Sequence, residues 1–432
     1  MAWSWAFLGV CSLGALFVLN AFRPVRNGAF VVQSFFAGWY TAEMPLWHIV
    51  WQAAATVIFG FEGAFGAWPG WLGLGIAVAS WAGLVLHYNI SGNAHHVLSQ
   101  AQAEVPLPLA AGADVPRTGR DTMWRFPRLA WPLPRPTLVA RTIRNIDYWG
   151  DGRRSHRLDV IVRRHDAPDR APVFVYIHGG AWMIGDKREQ GYPLLFELAR
   201  RGWVGVTINY RLSPRATWPE HVVDCKRAIA WVRDHISEYG GDPDFVAVSG
   251  GSAGGHLSAL LALSAGDTAF QPGFEGADTH VDACVPIYGQ YDMTCHGGKT
   301  LRDRGELRMF EKRIFKTSYA EHPEVFEAAS PIRRLRPDAP PFFVIHGRND
   351  TLIPVADARE FAHELRKVSQ SPVLYAELPY TQHAFDVLPS VRSAHMVAAV
   401  VRFLEGARHR LIPPDTVSAS TVGAEVSPGP DA

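Results

Sequence analysis

The chain has 432 residues, of which 48% are apolar and 19% charged, and its formal net charge is +1. Soluble domains carry about a quarter charged residues, so part of this chain is composed for an apolar environment. The near-neutral balance excludes a basic field for nucleic acid and an acidic field for cations.

The apolar residues are concentrated at the front. Trp3 to Phe22 holds no charged side chain and is long enough to cross about 30 Å of hydrocarbon as a helix. A cleaved leader is the rival reading, but Arg23 and Arg26 follow the apolar run instead of preceding it. Ala29 to Phe61 is a second apolar stretch, interrupted by Glu43 and Pro45. It predicts a membrane helix at Pro45–Phe61, with Ala29–Tyr40 leading into it along the interface. A third charge-free run, Gly70–Tyr88, is bordered by Trp68, Trp71, Trp81 and Tyr88, which suit the membrane–water boundary. Residues 1–90 are thus expected to form about three transmembrane helices, with buried core helices as the bland alternative. Glu43 and Glu62 are expected outside the hydrocarbon or in a polar contact, because a carboxylate at mid-bilayer is costly. Basic residues follow the first run (Arg23, Arg26) and the third (Arg117, Arg120, Arg125, Arg128), with none between. The positive-inside rule then places both basic segments, and the C-terminal part, in the cytoplasm of a cell-membrane protein. If Ala29–Tyr40 were itself a span, the sidedness would reverse.

Residues 91–140 read as a linker rich in Ala, Pro and Arg. Its Trp124, Phe126 and Trp131 suit a membrane surface or a cover for a site. From Arg141 the texture becomes short β-rich runs alternating with amphipathic ones, which predicts an α/β domain over 141–411 with a mostly parallel sheet and helices on both faces. Strands are expected at Arg157–Val162, Val173–Ile177, Val204–Ile208, Phe245–Val248, Ala283–Ile287, Phe342–Ile345 and Val373–Glu377. Helices are expected near Tyr192–Arg201, Pro219–His235, Ala253–Leu263, Val355–Val368 and Val391–Leu404. An insertion near 293–327 contains a charged helix-like stretch, Leu307–Lys316, that reads as a cap or a plain surface insertion. The tail 412–432 lacks periodicity and is expected to be disordered. Cys11, Cys225, Cys284 and Cys295 make no CxxC pair and no Cys/His cluster, so no metal is expected. An odd three beyond the apolar run give no disulfide framework and fit a reducing compartment.

Gly250-Gly251-Ser252-Ala253-Gly254 follows the apolar run Phe245–Val248 and precedes a helix-like run. That is the strand–turn–helix setting of a nucleophile elbow, where small residues must flank a serine on a tight turn. The alternative is a glycine-rich turn in which Ser252 only caps a helix. A nucleophilic serine needs a base and a group that orients it. Asp350 leaves the end of the strand Phe342–Ile345, and His383 leaves the end of Val373–Glu377. Asp386 and His346 are rivals for acid and base, but Asp386 follows the histidine and His346 reads as packing. The loop His178-Gly179-Gly180-Ala181-Trp182 follows another buried strand. Its backbone N–H groups at Gly179, Gly180 and Ala181, with that of Ala253, are candidates for an oxyanion hole. His178, Tyr210 and Arg211 read as braces for these loops. Trp182 and Met183 are placed to wall a substrate pocket.

With these residues in view, 141–410 resembles the hormone-sensitive-lipase-like branch of the α/β-hydrolases. The resemblance is carried by His178–Trp182, Tyr210-Arg211-Leu212-Ser213-Pro214, Gly250–Gly255, Asp350 and His383. The whole chain is similar to actinobacterial membrane-associated carboxylesterases of the LipM/LipQ type. Two positions depart from the branch: Ala181 replaces a glycine, and Gly251 replaces an acidic residue before the serine. Gly251, with the Gly-Gly-x-Trp loop, also resembles kynurenine formamidases and prenylcysteine methylesterases. The resemblance implies a serine esterase or lipase that needs no cofactor. Its substrate would be an apolar or lipid ester met at the membrane. An amidase for formyl-amides, a water-excluding acyltransferase and a catalytically dead membrane scaffold are the alternatives.

Overall fold

A computed structural model describes residues 1–26, 28–109, 115–116, 118, 140–165, 168–294 and 306–411. Trp124, Phe126 and Trp131, the basic residues from Arg117 to Arg128, Cys295, much of the front of the 293–327 insertion and the tail 412–432 lie outside the described residues.

The N-terminal part is helical: α1 (Ala2–Phe22), α2 (Val31–Glu43), α3 (Pro45–Phe61), α4 (Trp68–Gly92) and α5 (Ala94–Glu104). α1 buries Ser4, Phe7, Cys11, Gly14, Val18 and Ala21, a three-and-four spacing that makes one stripe. The stripe packs on α4, where glycines 73 and 83 come close to Phe7 and Val18. Small residues at such a seam let helices approach where no water drives them together. Among the described residues, α1 and the continuous run Trp68–Glu104 are long and apolar enough to cross a membrane, and α2 with α3 would make a third although they bend by 95°.

The bundle has two distinct ends. At one, Trp5 meets Trp68 edge-on, and Trp3 and Phe7 meet Phe59. At the other, the Asn349 side-chain amide donates to the carbonyls of Ala21 and Phe22, 3.2 Å each, which α1 itself cannot satisfy. α2 lies along this second end. Its Trp39 Nε1 donates to the Ala384 carbonyl at 2.8 Å. Glu43 at its end is fully buried, paired with Arg392 and accepting from Ser390 Oγ at 2.6 Å. Arg392 also donates to Ser91 Oγ at 2.9 Å. Glu43 is therefore in a polar contact, and Glu62 is exposed beyond the far end of α3.

The second part is an eight-stranded sheet: β1 (Ala140–Asp147), β2 (Arg157–Arg163), β3 (Ala171–Ile177), β4 (Val204–Ile208), β5 (Gly241–Gly251), β6 (Ala283–Ile287), β7 (Phe342–Gly347) and β8 (Val373–Leu378), in the order β1-β2-β4-β3-β5-β6-β7-β8. β1, β2 and β4 pair antiparallel, and all pairings from β4 through β8 are parallel. The parallel strands are buried on both faces, which is why they read as unbroken apolar runs. Side chains alternate between two cores. Val173, Val175 and Ile177 of β3 face α7 (Glu220–His235), α8 (Ala253–Leu263) and α11 (Val355–Val368); Phe174 and Tyr176 face α6 (Tyr192–Arg200) and α12 (Val391–Leu411). The inserted segment supplies α9 (Glu306–Met309), a π-helical turn Phe310–Phe315 and α10 (Pro323–Ala328).

Two elements differ from expectation. β1 was not anticipated: it is an edge strand carrying Arg141, Arg144 and Asn145, so its composition does not resemble a buried strand. The stretch read as linker from 91 begins as helix. α5 packs Leu98 and Ala101 into the core beside Leu374 and Phe403.

Candidate active site

Ligands in open α/β sheets bind beyond the carboxyl ends of the strands, and the selected residues converge there. β5 ends at Gly251 and α8 starts at Ala253, so Ser252 alone makes the turn. Its backbone sits at φ 58°, ψ −121°, a region costly for a residue with a side chain. Two glycines make the turn feasible. A Cβ on Gly254 would lie 2.0 Å from the Ile177 carbonyl oxygen of β3, and one on Gly251 would lie 2.5 Å from the Tyr288 hydroxyl.

Asp350 follows β7 and His383 follows β8. His383 Nδ1 and Asp350 Oδ2 are 2.6 Å apart. The other carboxylate oxygen accepts the N–H groups of Leu352 and Ile353, both at 2.8 Å. His346 Nε2 lies 3.2 Å from Asp350 and 3.0 Å from the Ile353 carbonyl. Burial alone would raise the Asp350 carboxyl, but the charges and hydrogen bonds of His383 and His346 hold it well below the usual carboxylate range. The Gln382 side-chain oxygen accepts the N–H groups of Thr351 (2.8 Å) and His383 (2.9 Å), tying the two loops together. Asp386 is engaged elsewhere: it accepts from Tyr288 and, at 3.2 Å, from Tyr176, and burial pushes its carboxyl up. The Tyr288 ring lies 4.6 Å from the His383 ring, so this phenol–carboxylate pair backs the imidazole without bonding it.

The loop after β3 is strained, with Ala181 at φ 53° and Trp182 at φ 59°. Among the described residues, the N–H groups of Gly180 and Ala181 have no acceptor. Ala253 is the first residue of α8, where an N–H has no intrahelical partner. Gly179 is a correction: its N–H donates to Gln190 Oε1 at 2.8 Å and is already used. His178 is buried, and desolvation lowers its ring below the usual value. Its Nδ1 bonds the Gly179 carbonyl, and Tyr210 Oη donates to the His178 carbonyl at 3.0 Å. Arg211 is tied to Asp224 and Glu220. Trp182 Nε1 donates to His256 Nδ1 at 3.3 Å, and His256 Nε2 bonds the Ala329 carbonyl at 2.7 Å. Burial lowers this ring to about 3, so it serves as a neutral brace.

Ser252 and His383 open onto one cavity of about 510 Å³, within the range of roughly 300–1,000 Å³ usual for small-molecule sites. Ala181 and Trp182 line it. Met183 does not: it turns half-buried against the main core. Sequence reading missed several other walls. Gln290, Leu352 and Ile353 come from the sheet's loops, Met309 and Phe310 from the insertion, Arg26 and Gly28 from the connection between α1 and α2, and Val31 and Val32 from the start of α2. For Val31 and Val32 the signal in the sequence was the placing of Ala29–Tyr40 along the membrane interface rather than across it.

Residues 158–365 match the family described as BD-FAE. The "Probable carboxylic ester hydrolase LipM" of Mycobacterium tuberculosis is 44% identical over 413 residues, covering 92% of each chain. "Esterase LipQ" of the same organism is 39% identical over 407 residues, covering 90% of each. Among solved structures, a truncated carbohydrate esterase from gut microbiota covers 63% of this chain and 99% of its own, with 24% identity and a TM-score of 0.54, which speaks to the fold alone. By fold and by relatedness over nearly its whole length, the chain belongs to the carboxylic ester hydrolases of the LipM/LipQ family, on an α/β-hydrolase scaffold.

Proposed function

We propose that this protein is a membrane-anchored serine carboxylesterase that hydrolyses apolar esters through an acyl-enzyme, with Ser252, His383 and Asp350 as its triad. The observation that carries this reading is the 2.6 Å bond between His383 and Asp350, with His383 and Ser252 facing one cavity. Asp350 orients the imidazole and stabilises its protonated form, leaving Nε2 to take the proton of Ser252 Oγ as the oxygen attacks the ester carbonyl carbon. N–H groups of Gly180, Ala181 and Ala253 receive the developing oxyanion. The ester C–O bond then breaks, and His383 returns the proton to the departing alkoxide. Water, deprotonated by His383, attacks the acyl carbon; the acyl–Ser252 bond breaks, the carboxylic acid leaves, and His383 returns the proton to Ser252 Oγ. This sequence uses no metal or organic cofactor.

Membrane attachment is part of the proposal. α1, α3 and α4 run between the two ends of the bundle, and α2 lies on the hydrolase. Three crossings put Arg23, Arg26 and the hydrolase on one side, which the positive-inside rule makes cytoplasmic.

The test is hydrolysis of a p-nitrophenyl ester series by the parent and by Ser252→Ala. Loss on the order of a million-fold in kcat is expected, with a covalent fluorophosphonate adduct on Ser252 of the parent. Residual activity within about tenfold of the parent would overturn the assignment. A formyl-amide substrate and an added alcohol acceptor, run beside the esters, separate amidase and acyltransferase chemistry from hydrolysis.

A further inference from the structure

The cavity at Ser252 is not closed by the hydrolase domain alone. One of its walls is the beginning of α2, where Val31 and Val32 face the same space as Trp182 and His383. Three contacts hold that wall in place. The Phe35 ring meets the His383 ring edge-on at 6.1 Å, Trp39 is bonded to the Ala384 carbonyl, and Glu43 is locked to Arg392 in the core. Facing outward from α2 and its N-cap are three apolar side chains beside Gln33: Phe30 is 69% exposed, Val32 55% and Phe36 56%. Ile184, on the oxyanion loop, is 70% exposed. Val32 thus belongs to both surfaces, lining the cavity and facing outward. α2 is also joined directly to α3 and follows α1, the helices read as crossing the bilayer. An exposed apolar rim continuous with such helices meets lipid chains in preference to water.

We infer that Val31 and Val32 are specificity-determining residues, forming the wall along which the apolar chain of a bilayer-borne ester lies while its carbonyl is at Ser252. The inference rests on the esterase reading given above and adds the source and class of the substrate: esters with a hydrocarbon chain of medium or greater length, entering from the membrane side past α2. Trp182 and Phe310, in edge contact at 5.7 Å, form an aromatic wall elsewhere in the same cavity.

The full-length protein in lipid nanodiscs tests this with p-nitrophenyl acetate, butyrate, octanoate and decanoate. Each methylene that is buried against the wall raises kcat/KM in the parent by up to about fourfold. The readout is the ratio of kcat/KM for decanoate to that for acetate within each variant, so a general loss of activity cancels. Val32→Trp, which fills the wall, is expected to lower the ratio about tenfold or more, the effect of displacing roughly two buried methylenes. Val31→Ala, a smaller change that preserves folding if the tryptophan does not, is expected to move the preferred chain to greater length. Ratios within about twofold of the parent in both variants would overturn the inference while leaving the esterase reading intact, since each buried methylene is worth more than that. A parent protein that hydrolyses no ester of the series would overturn the esterase reading, and the inference with it.

Discussion

That Ser252, Asp350 and His383 lie together was legible because each follows an apolar run that reads as a buried strand, and strand ends on one edge of a parallel sheet converge. What was not legible were groups whose roles depend on distant partners. Gln190 takes the Gly179 N–H, and Gln382 ties two loops, with nothing in their flanking sequence to mark them. Asp350→Asn should keep the loop geometry but present His383 in the wrong tautomer, lowering kcat by about ten-thousandfold. Steady-state kinetics with a short ester would check it, and a loss of less than about tenfold would remove Asp350 from the triad. The same carboxylate links stability to pH. Its value in the folded protein is depressed, so its contribution is present above the ordinary carboxylate value near 3.8 and is lost as pH falls through the lowered folded value. Melting curves from about pH 6 down to about pH 2 should therefore fall more steeply for the parent than for Asp350→Asn. Gly251 shows why this chain has no acidic residue before its serine. The space is occupied by Tyr288, pinned by Asp386. Gly251→Ala should cost about 1–3 kcal/mol of stability by overpacking. A variant as stable as the parent would mean that Tyr288 can swing aside.

Elements were readable where composition and period agreed. β3, β4, β6, α8 and α11 fall where their apolar runs put them. α5 and β1 were obscured because they are half-exposed: α5 carries His95, His96 and two glutamines, and β1 alternates arginine with isoleucine at a sheet edge. Their identity comes from packing against residues far along the chain, which local pattern does not encode. The junction between α2 and α12 is of the same kind. Glu43 and Arg392 are buried with side-chain exposures of 0% and 1%, so each satisfies the other's charge. Glu43→Leu alone should strand a buried guanidinium and cost about 3–5 kcal/mol, whereas Glu43→Leu with Arg392→Met should recover most of that loss. Thermal unfolding of the detergent-solubilised chain measures both. A double variant no more stable than the single one would show that the pair, not its charge balance, holds α2 in place.

The molecule as a whole couples a helical bundle to a hydrolase through contacts one residue from the acid of the proposed triad: Asn349 caps the end of α1 while Asp350 holds His383. The proposed sidedness is open to a direct test. With three crossings, a C-terminal fluorescent fusion should glow in cells while an alkaline phosphatase fusion at the same point stays silent, and the reverse result would place the hydrolase outside. A cysteine at Glu62, near the opposite end, should then react with an impermeant maleimide added to intact cells. The buried pair also has a consequence for biosynthesis. Arg392 is 349 residues later in the chain than Glu43. At about 5–20 residues per second the ribosome takes roughly 20–70 s to supply it. Throughout that interval the Glu43 carboxylate lacks the Arg392 guanidinium that neutralises it in the fold, and an unpaired carboxylate resists entering hydrocarbon. On the membrane-anchored reading proposed above, α2 then stays at the water surface until α12 has been made, so one of the last described helices completes the assembly of one of the first.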